Sequence, residues 1–253
     1  MILFFFNQLT ETLPFNFNTN KQNSECDITV LCYNVKCSSP SYKLNQNSIA
    51  REILKERPDV IYLCEFNLSP SKILDSLIIN DGGYRRYYKS GTNCVFYSKF
   101  EIDSIHGIDT GTYRKGHHLN NMIHLFLAND TVAVFGCHLS SSRKGIVNAY
   151  HQRAKEAYSL FYIIKAEPFP VIVMGDLNDF SGSYVIKRLK EAGLKDAWWE
   201  GGCGYGATFH DKWLKLRLDH ILYNKDKLKL ESVKVIDSDL SDHNALIANF
   251  SFI

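Results

Sequence analysis

The chain has 253 residues, of which 45% are hydrophobic and 22% charged, and its formal net charge is +2. These values are ordinary for a soluble globular protein and exclude neither one large domain nor two small ones. A whole-chain charge this close to neutrality gives no preference for nucleic acid over other substrates.

The N-terminal residues 1–26 are interpreted as an irregular lead-in, followed by a domain over residues 27–253 without a linker or a repeat. Met1–Phe6 is strongly apolar, but it is far shorter than the roughly 20 residues that span a bilayer. An initial strand or a partly buried tail is therefore favoured over the remnant of a membrane anchor.

Cysteine placement favours a reducing, cytoplasmic location, because no C-x-x-C pair occurs and four cysteines lie in apolar runs where a thiol acts as a small hydrophobe. A membrane-associated or cell-envelope location is the alternative if the natural N-terminus is longer. The four cysteines are Cys32, Cys64, Cys94 and Cys137.

Eight short segments rich in β-branched and aromatic residues are predicted strands. Several are apolar on both faces, as expected of strands that are covered on two sides. Asn129–Asp130 lies between two apolar runs and predicts a hairpin turn. In chain order the predicted strands are Ile28–Val35, Val60–Phe66, Cys94–Ser98, Ile123–Ala128, Thr131–His138, Val171–Gly175, Arg217–Tyr223 and Ala245–Phe250.

Four segments have apolar residues at helical spacing. The first ends before Pro58, and the second begins with Ser69 as its N-cap and a proline next. The third runs from about Ile146 to Lys165, and the fourth covers about residues 183–192 with Gly193 as its C-terminal cap. The residues predicted to face the core are Ile49, Ile53 and Leu54 in the first helix, Ile73, Leu74, Leu77 and Ile78 in the second, and Tyr150, Ala154, Ala157, Tyr158 and Phe161 in the third.

Polar residues repeatedly interrupt or follow the apolar strands. A charge buried without a partner costs several kcal/mol, so acids and imidazoles at so many strand ends are explained if they converge on one ion or substrate. Taken singly, each has a plain alternative as the last solvated residue of a strand, a loop cap or part of a polar turn. The residues are Asn34, Glu65, His138, Asp176, Asn178, Asp219, Asp242 and His243.

In this order and context, the residues resemble the endonuclease/exonuclease/phosphatase superfamily. The resemblance extends from about residue 27 to the C-terminus. It implies an α+β fold with four layers, α/β/β/α, in which helices flank two central, mostly antiparallel sheets as in deoxyribonuclease I-like proteins. Six segments carry it: Tyr33-Asn34-Val35, Asp59–Glu65, Gly136-Cys137-His138-Leu139, Gly175-Asp176-Leu177-Asn178-Asp179, Arg217–Leu222 and Ser241-Asp242-His243.

The resemblance also implies roles at one end of the sandwich. Glu65 would be the principal ligand of Mg²⁺ or Mn²⁺, helped by Asn34 and Asp242, since hard oxygen ligands suit hard cations. Asp219 would pair with His243 and favour its protonated form. Either Asp176 or His243 would activate water. The catalytic set is His138, Asp176, Asn178, Asp219 and His243, of which His138, Asp176 and Asn178 would surround the scissile phosphate.

The implied activity is divalent-metal-dependent hydrolysis of a phosphomonoester or phosphodiester by attack of water. A nuclease acting on DNA or RNA is the alternative within the superfamily, and a catalytically silent binding module with this fold is another. A metal-independent serine hydrolase is disfavoured because no G-x-S-x-G segment occurs. We expect a monomer without an obligate protein partner.

Two departures from the superfamily pattern bear on the substrate. Lys36 stands two residues after Asn34, where abasic-site endonucleases of the superfamily carry an acid, and the His138 segment also differs from theirs. Both features favour the deoxyribonuclease I, sphingomyelinase and general phosphatase members. Because the chain lacks a strong basic excess, a small or lipid-linked phosphoester ranks above nucleic acid.

Three further clusters leave alternatives open. Residues 140–144 follow His138 and fit either a solvated loop or a second phosphate site. His117-His118 is assigned to a mobile loop in preference to a zinc site. An aromatic group around the glycine-rich residues 201–204 fits core packing or stacking on a base or sugar. Its members are Trp198, Trp199, Tyr205, Phe209 and Trp213.

Overall fold

The computed structural model describes residues 26–89, 91–109, 120–141 and 145–253. The interpretations of Met1–Phe6, of His117-His118 and of residues 142–144 fall outside this part of the chain. The helices are α1 (Tyr42–Lys55), α2 (Lys72–Asn80), α3 (Ile146–Ala166), α4 (Tyr184–Glu191) and α5 (Ala197–Gly201). The strands are β1 (Ile28–Asn34), β2 (Val60–Cys64), β3 (Arg85–Tyr87), β4 (Val95–Ser98), β5 (Glu101–Gly107), β6 (Asn121–Phe126), β7 (Thr131–His138), β8 (Val171–Asp176), β9 (Leu194–Asp196), β10 (Phe209–Asp211), β11 (Leu214–Leu216), β12 (Asp219–Asn224), β13 (Leu228–Ile236) and β14 (Ala245–Phe252).

The strands form two six-stranded sheets, with orders β13-β14-β1-β2-β4-β3 and β5-β6-β7-β8-β12-β9, and a separate β10–β11 hairpin. Each large sheet contains one parallel pair, β1–β2 in the first and β7–β8 in the second. The described neighbours otherwise pair antiparallel. Helix α1 connects the first parallel pair and α3 connects the second. In each pair the carboxyl ends of both strands therefore meet at one edge of the sheet.

Side chains alternate across each sheet and so separate the core into three layers. One layer lies between the sheets, one lies between the first sheet and helices α1 and α2, and one lies between the second sheet and helices α3 and α4. This is the predicted α/β/β/α sandwich. Representative pairs are Val30 and Cys32 between the sheets, Leu31 and Tyr33 against α1, and Ala133 and Phe135 against α3.

The two sheets approach closely where Tyr62 of β2 lies against Gly136 and Gly175 of the second sheet. A Cβ atom at Gly136 would collide with the Tyr62 ring, and one at Gly175 would collide with the Cys137 carbonyl and lie tightly against the same ring. Gly175 has φ +131°, a conformation that side chains rarely adopt. Glycine at these positions lets the strands that end in His138 and Asp176 pack directly onto the first sheet.

Local sequence signals were right at two turns. The Leu127 N–H donates to the Asp130 carbonyl at 2.9 Å between β6 and β7, which confirms the hairpin turn. Gly193 follows α4 with φ +95°, which confirms the glycine cap. None of the described helices is long and apolar enough to cross a bilayer.

Two helical predictions were wrong in detail. Helix α2 begins at Lys72 with Ser71 as its N-cap, and Ile73 is 48% exposed. In α3, Tyr150 and Tyr158 are about half exposed, whereas Arg153 and Glu156 are buried. The reason for the second error is polar pairing. Arg153 Nε donates to Asp179 Oδ2 at 3.1 Å, and Ser140 donates to Glu156 from both its N–H and its hydroxyl at 3.0 Å.

Candidate active site

The parallel pairs of the two sheets bring four of the predicted residues to one end of the sandwich. Asn34 ends β1 and Glu65 follows β2 directly, while His138 ends β7 and Asp176 ends β8. Strand β12 runs antiparallel to β8, so its first residue, Asp219, lies opposite Asp176. Four of these five residues are buried, and Glu65 is half-buried. The convergence expected from the strand ends is thus present in the fold.

Asp176 lies at the centre of this group. Its Oδ2 accepts a hydrogen bond from Asn34 Nδ2 at 3.0 Å, which joins the two sheets. The same oxygen lies 3.9 Å from His138 Nε2 and 3.8 Å from His243 Nε2. Asp176 Oδ1 accepts from the Asn178 N–H at 2.9 Å. One carboxylate therefore contacts an amide and stands between two imidazoles.

The Asp219 carboxylate holds His243 in place. His243 Nδ1 lies 2.7 Å from Asp219 Oδ2, and the Asp219 N–H donates to the Thr208 hydroxyl at 2.9 Å. Burial disfavours the charged imidazole, but Asp219 and Asp176 favour it more strongly, and the pKa of His243 rises to about 9. The predicted pairing of Asp219 with His243 is present, and it favours an imidazolium at neutral pH.

His138 has a similar electrostatic environment with a different partner. Its N–H donates to Asn120 Oδ1 at 3.1 Å. Burial opposes protonation, whereas the Cys94 sulfur and the Asp176 and Glu65 carboxylates favour it, and the pKa of His138 rises to about 9. Burial raises the pKa of the Cys94 thiol, but Cys64 and His138 lower it more, to about 6. Cys94 and His138 therefore favour each other's charged forms.

Backbone strain is concentrated at the same end. Among the described residues, five non-glycine residues have positive φ, and three of them, Lys36, Glu65 and Asn178, follow the strands that end here. Such conformations cost on the order of 1–3 kcal/mol each and persist where surrounding contacts impose them. At Asn178 one such contact is the hydrogen bond from Nδ2 to the Leu139 carbonyl at 3.0 Å. The second amide hydrogen of Asn178 can then donate to another acceptor.

Lys36 contacts two of the three predicted metal ligands. Its N–H donates to Asn34 Oδ1 at 3.1 Å, and its ammonium forms an ion pair with Asp242. The sequence marked Lys36 only as a departure from related enzymes, and this pairing was not predicted. The charge of Asp242 is thus already balanced by a cationic side chain.

The donor atoms at this end fit a divalent cation. The carboxylates of Asp176 and Asp219 belong, with His243, to a group whose ligand atoms all lie within 4.8 Å of one another, and the two carboxylates supply its negative charge. Asp219 Oδ1 is buried and has no hydrogen-bond partner among the described residues, so it adds negative potential that a cation would offset. Glu65 and Asn34, at adjacent strand ends, add a carboxylate and an amide oxygen, the ligands that Mg²⁺ and Mn²⁺ prefer.

Sequence reasoning missed several residues that support the site. Asn120 accepts a hydrogen bond from the His138 N–H, and Cys94 favours the protonated His138 imidazole. In the sequence each is an ordinary residue beside a strand. Thr208 binds the backbone of Asp219, and Phe209 packs edge to face on His243 with ring centroids 5.1 Å apart. Of these residues sequence reasoning had named only two, Phe209 as a member of the aromatic group and Cys94 as a small hydrophobe in an apolar run.

The other two clusters separate into different roles. Ser140 is buried against Glu156, so its hydroxyl is structural. Trp198 is 6% exposed and donates its indole N–H to the Gly204 carbonyl, which supports core packing. Trp213, in contrast, is 86% exposed at the tip of the β10–β11 hairpin.

Comparisons with known proteins agree with this fold. Among solved structures, the fold matches D. rerio TDP2 complexed with single-strand DNA product at 17% identity and TM-score 0.70, covering 88% of this chain and 98% of that one. It matches beta toxin 275-280 from Staphylococcus aureus at 18% identity and TM-score 0.68, with coverages of 88% and 99%. An endonuclease/exonuclease/phosphatase from Beutenbergia cavernae DSM 12333 matches at 17% identity and TM-score 0.71, with coverages of 90% and 72%.

Identities this low establish a common fold, and the family comes from the sequence. No curated protein matches the chain. The model of the Endonuclease/Exonuclease/phosphatase family matches residues 16–243, which is most of the 253-residue chain. The chain belongs to the endonuclease/exonuclease/phosphatase family.

Proposed function

We propose that the protein is a divalent-metal-dependent phosphoesterase that hydrolyses a phosphomonoester or phosphodiester by attack of water. The observation that carries the proposal is the Asp176 carboxylate, which stands 3.9 and 3.8 Å from the Nε2 atoms of two buried imidazoles, His138 and His243. A proton acceptor and two cationic donors then surround one position. Both promote the attack of water on a phosphate ester. The acceptor takes the proton of water, and the cationic donors offset the charge of the ester oxygens that repel the nucleophile.

The charge states divide the work between these residues. With pKa values raised to about 9, His138 and His243 are imidazolium ions at neutral pH and donate hydrogen bonds to phosphate oxygens. A protonated His243 is a poor acceptor for the proton of water, so this role falls to Asp176. Asp219 fixes the His243 ring through Nδ1, and Asn178 offers an amide hydrogen to the phosphate.

Glu65 and Asn34 would hold the cation, with Asp242 beside them. When bound, Mg²⁺ or Mn²⁺ offsets the charge that develops on the phosphoryl oxygens. The chain's own contribution is to place oxygen donors at adjacent ends of β1 and β2, next to the position that the imidazoles surround.

The reaction is tested with bis-p-nitrophenyl phosphate after removal of metal by a chelator. We expect turnover to return with Mg²⁺ or Mn²⁺. Glu65→Gln and His243→Ala should each lower kcat by about 10²–10⁴-fold, the range typical for loss of acid–base and electrostatic groups. For the histidine variant kcat should fall more than KM rises, as for an interaction made in the transition state. His151→Ala, an exposed histidine on α3, is the matched control.

Metal-dependent turnover that persists in both variants would remove the site assignment. A protein that hydrolyses none of several phosphate esters with either cation would instead support the silent binding module.

A nuclease is the second candidate function. The similarity to a D. rerio TDP2 structure that holds a single-strand DNA product supports it, whereas the net charge of +2 supports a small or lipid-linked phosphoester. Parallel assays with single-stranded and duplex nucleic acids, phospholipids, prenyl phosphates and sugar phosphates separate the two. A kcat/KM that is highest for an oligonucleotide would establish the nuclease.

A further inference from the structure

A second group of metal-ligating side chains lies on the outer edge of the second sheet. Asp103 and His106 belong to β5 and His124 to β6, and one ligand atom from each lies within 4.8 Å of the other two. We propose that these three residues bind a divalent transition-metal ion of the zinc class, separately from the catalytic end.

An irregularity in strand pairing brings the three side chains together. Ile102 pairs with Leu125 and Ile105 with Ile123, so two residues of β5, Asp103 and Ser104, stand opposite His124 alone. Residues three apart in a regular strand point to opposite faces. The extra residue of this bulge restores Asp103 and His106 to one face, together with His124.

The position of the cluster separates it from the phosphoesterase site. His124 pairs with Ala133 of β7, five residues before His138, so the cluster is displaced along the sheet by roughly 16 Å at about 3.3 Å per residue. Ala133 packs against the helical layer, which places His124 on the outer face of the sheet. The catalytic residues, in contrast, lie at the strand ends.

Both imidazoles already have a polar partner on one ring nitrogen. His106 Nε2 lies 2.8 Å from the Ser104 hydroxyl, and His124 Nε2 lies 3.3 Å from Glu167 Oε1. The Phe169 ring packs edge to face on His124 with centroids 5.3 Å apart. Metal-binding histidines are commonly oriented by such contacts on the second nitrogen. Glu167 is thus a positioning residue.

Ligand chemistry indicates the kind of ion. Two imidazoles and one carboxylate suit Zn²⁺ and similar transition metals, whereas Mg²⁺ takes oxygen ligands. The carboxylates of Asp103 and Glu167 supply two negative charges beside the imidazoles, which balances a divalent ion. Bound there, the ion would cross-link the edge strand β5 to β6.

The test is Zn²⁺ binding measured by calorimetry and by competition with a chromogenic chelator, in saturating Mg²⁺. The background variant is His243→Ala, which removes the one imidazole from the competing group of Asp176, Asp219 and His243. We expect about one equivalent of Zn²⁺ to bind. Adding His106→Ala or His124→Ala should weaken binding by roughly 100-fold or more, since even the loss of an orienting partner costs roughly 10–100-fold. His151→Ala should leave the affinity unchanged.

Co²⁺ gives a second readout, because its visible absorption is weak as the octahedral aqua ion and strong in a four-coordinate protein site. This spectrum should disappear with His106→Ala and persist with His243→Ala. Unchanged Zn²⁺ affinity in the His106→Ala/His124→Ala double variant would overturn the proposal, as would a Co²⁺ spectrum that depends on His243 alone. Asp103→Asn and His106→Ala change exposed side chains, so they keep the test valid if His124→Ala does not fold. These readouts do not involve turnover, so their outcome is independent of the proposed function.

Discussion

At the scale of single residues, Lys36 places a positive charge beside the proposed metal ligands. Its ammonium pairs with the Asp242 carboxylate, and its N–H binds the side-chain oxygen of Asn34. A positive charge opposes a nearby cation by about 1 kcal/mol at 4 Å in water and about 4 kcal/mol at a protein surface. The Lys36 side chain is 36% exposed, which places the effect toward the lower value.

We therefore expect Lys36→Ala to lower the half-saturating Mg²⁺ concentration by roughly 3- to 10-fold, since 1.4 kcal/mol corresponds to a tenfold change. The measurement is a Mg²⁺ titration of turnover together with direct calorimetry of Mg²⁺ binding. Lys155→Ala, an exposed lysine on α3, controls for the loss of one positive charge. If Mg²⁺ binding is unchanged or weaker in Lys36→Ala, Lys36 does not oppose the cation.

At the scale of elements, the β10–β11 hairpin supports His243, the proposed catalytic histidine. Phe209 forms an antiparallel bridge with His243 and packs on its ring, while the His210 N–H donates to the Asp242 carbonyl at 2.8 Å. Just before the hairpin, Thr208 accepts a hydrogen bond from the Asp219 N–H. The hairpin thus holds both members of the His243–Asp219 pair.

Removing the Phe209 ring, which packs on His243, should misplace the His243 imidazole without removing it. We expect Phe209→Ala to lower kcat for bis-p-nitrophenyl phosphate by roughly 10-fold or more with little change in KM, because misplacement of about 1 Å costs up to about 100-fold. Trp213→Ala is the matched control, since Trp213 is on the same hairpin but 86% exposed. Equal losses in the two variants would contradict a positioning role for Phe209.

The elements also show why part of the fold was predictable and part was not. Buried strands such as β2 and β8 are continuous apolar runs with a polar residue at the end, so both the strand and the site residue are visible locally. In α3 the buried face includes Arg153 and Glu156, whose partners Asp179 and Ser140 come from distant loops. A helical pattern that assigns charged residues to solvent therefore places Tyr150 and Tyr158 in the core, although it places Ala157 there correctly.

The candidate site was likewise predictable only in part. Residues at the ends of parallel strands meet because of topology, and their order along the chain identified the family. The pairing of Lys36 with Asp242 and the placement of Cys94 beside His138 depend on how the two sheets and their loops are set against one another. No local pattern encodes these contacts.

At the scale of the whole molecule, buried titratable groups make the stability depend on pH. In the folded state His138 gains a proton that the Cys94 thiol loses, with pKa values of about 9 and about 6. Between the unfolded pKa values of about 6.5 for the imidazole and about 8.5 for the thiol, these two groups hold together the same number of protons in the folded and unfolded chains, so they contribute little pH dependence there. Burial raises the pKa values of Cys32 and Cys137, and these thiols destabilise the fold only above about pH 8.5.

Of these buried histidines and thiols, His243 alone then sets how the free energy of unfolding changes between about pH 6.5 and 8.5. Its folded pKa of about 9 lies above the ordinary value of 6.5, so the folded state binds a proton that the unfolded state releases. The resulting stabilisation is complete below pH 6.5 and is lost as pH rises toward 9.

We expect the free energy of unfolding to fall on the order of 2 kcal/mol between pH 6.5 and 8.5, at 1.36 kcal/mol per pKa unit. Urea denaturation in chelator, followed by tryptophan fluorescence, measures this change. In His243→Gln the fall in the free energy of unfolding between pH 6.5 and 8.5 should disappear, while the fall above pH 8.5 remains. Parallel profiles for the variant and the unmodified protein would show that Asp219 and Asp176 do not hold a proton on His243.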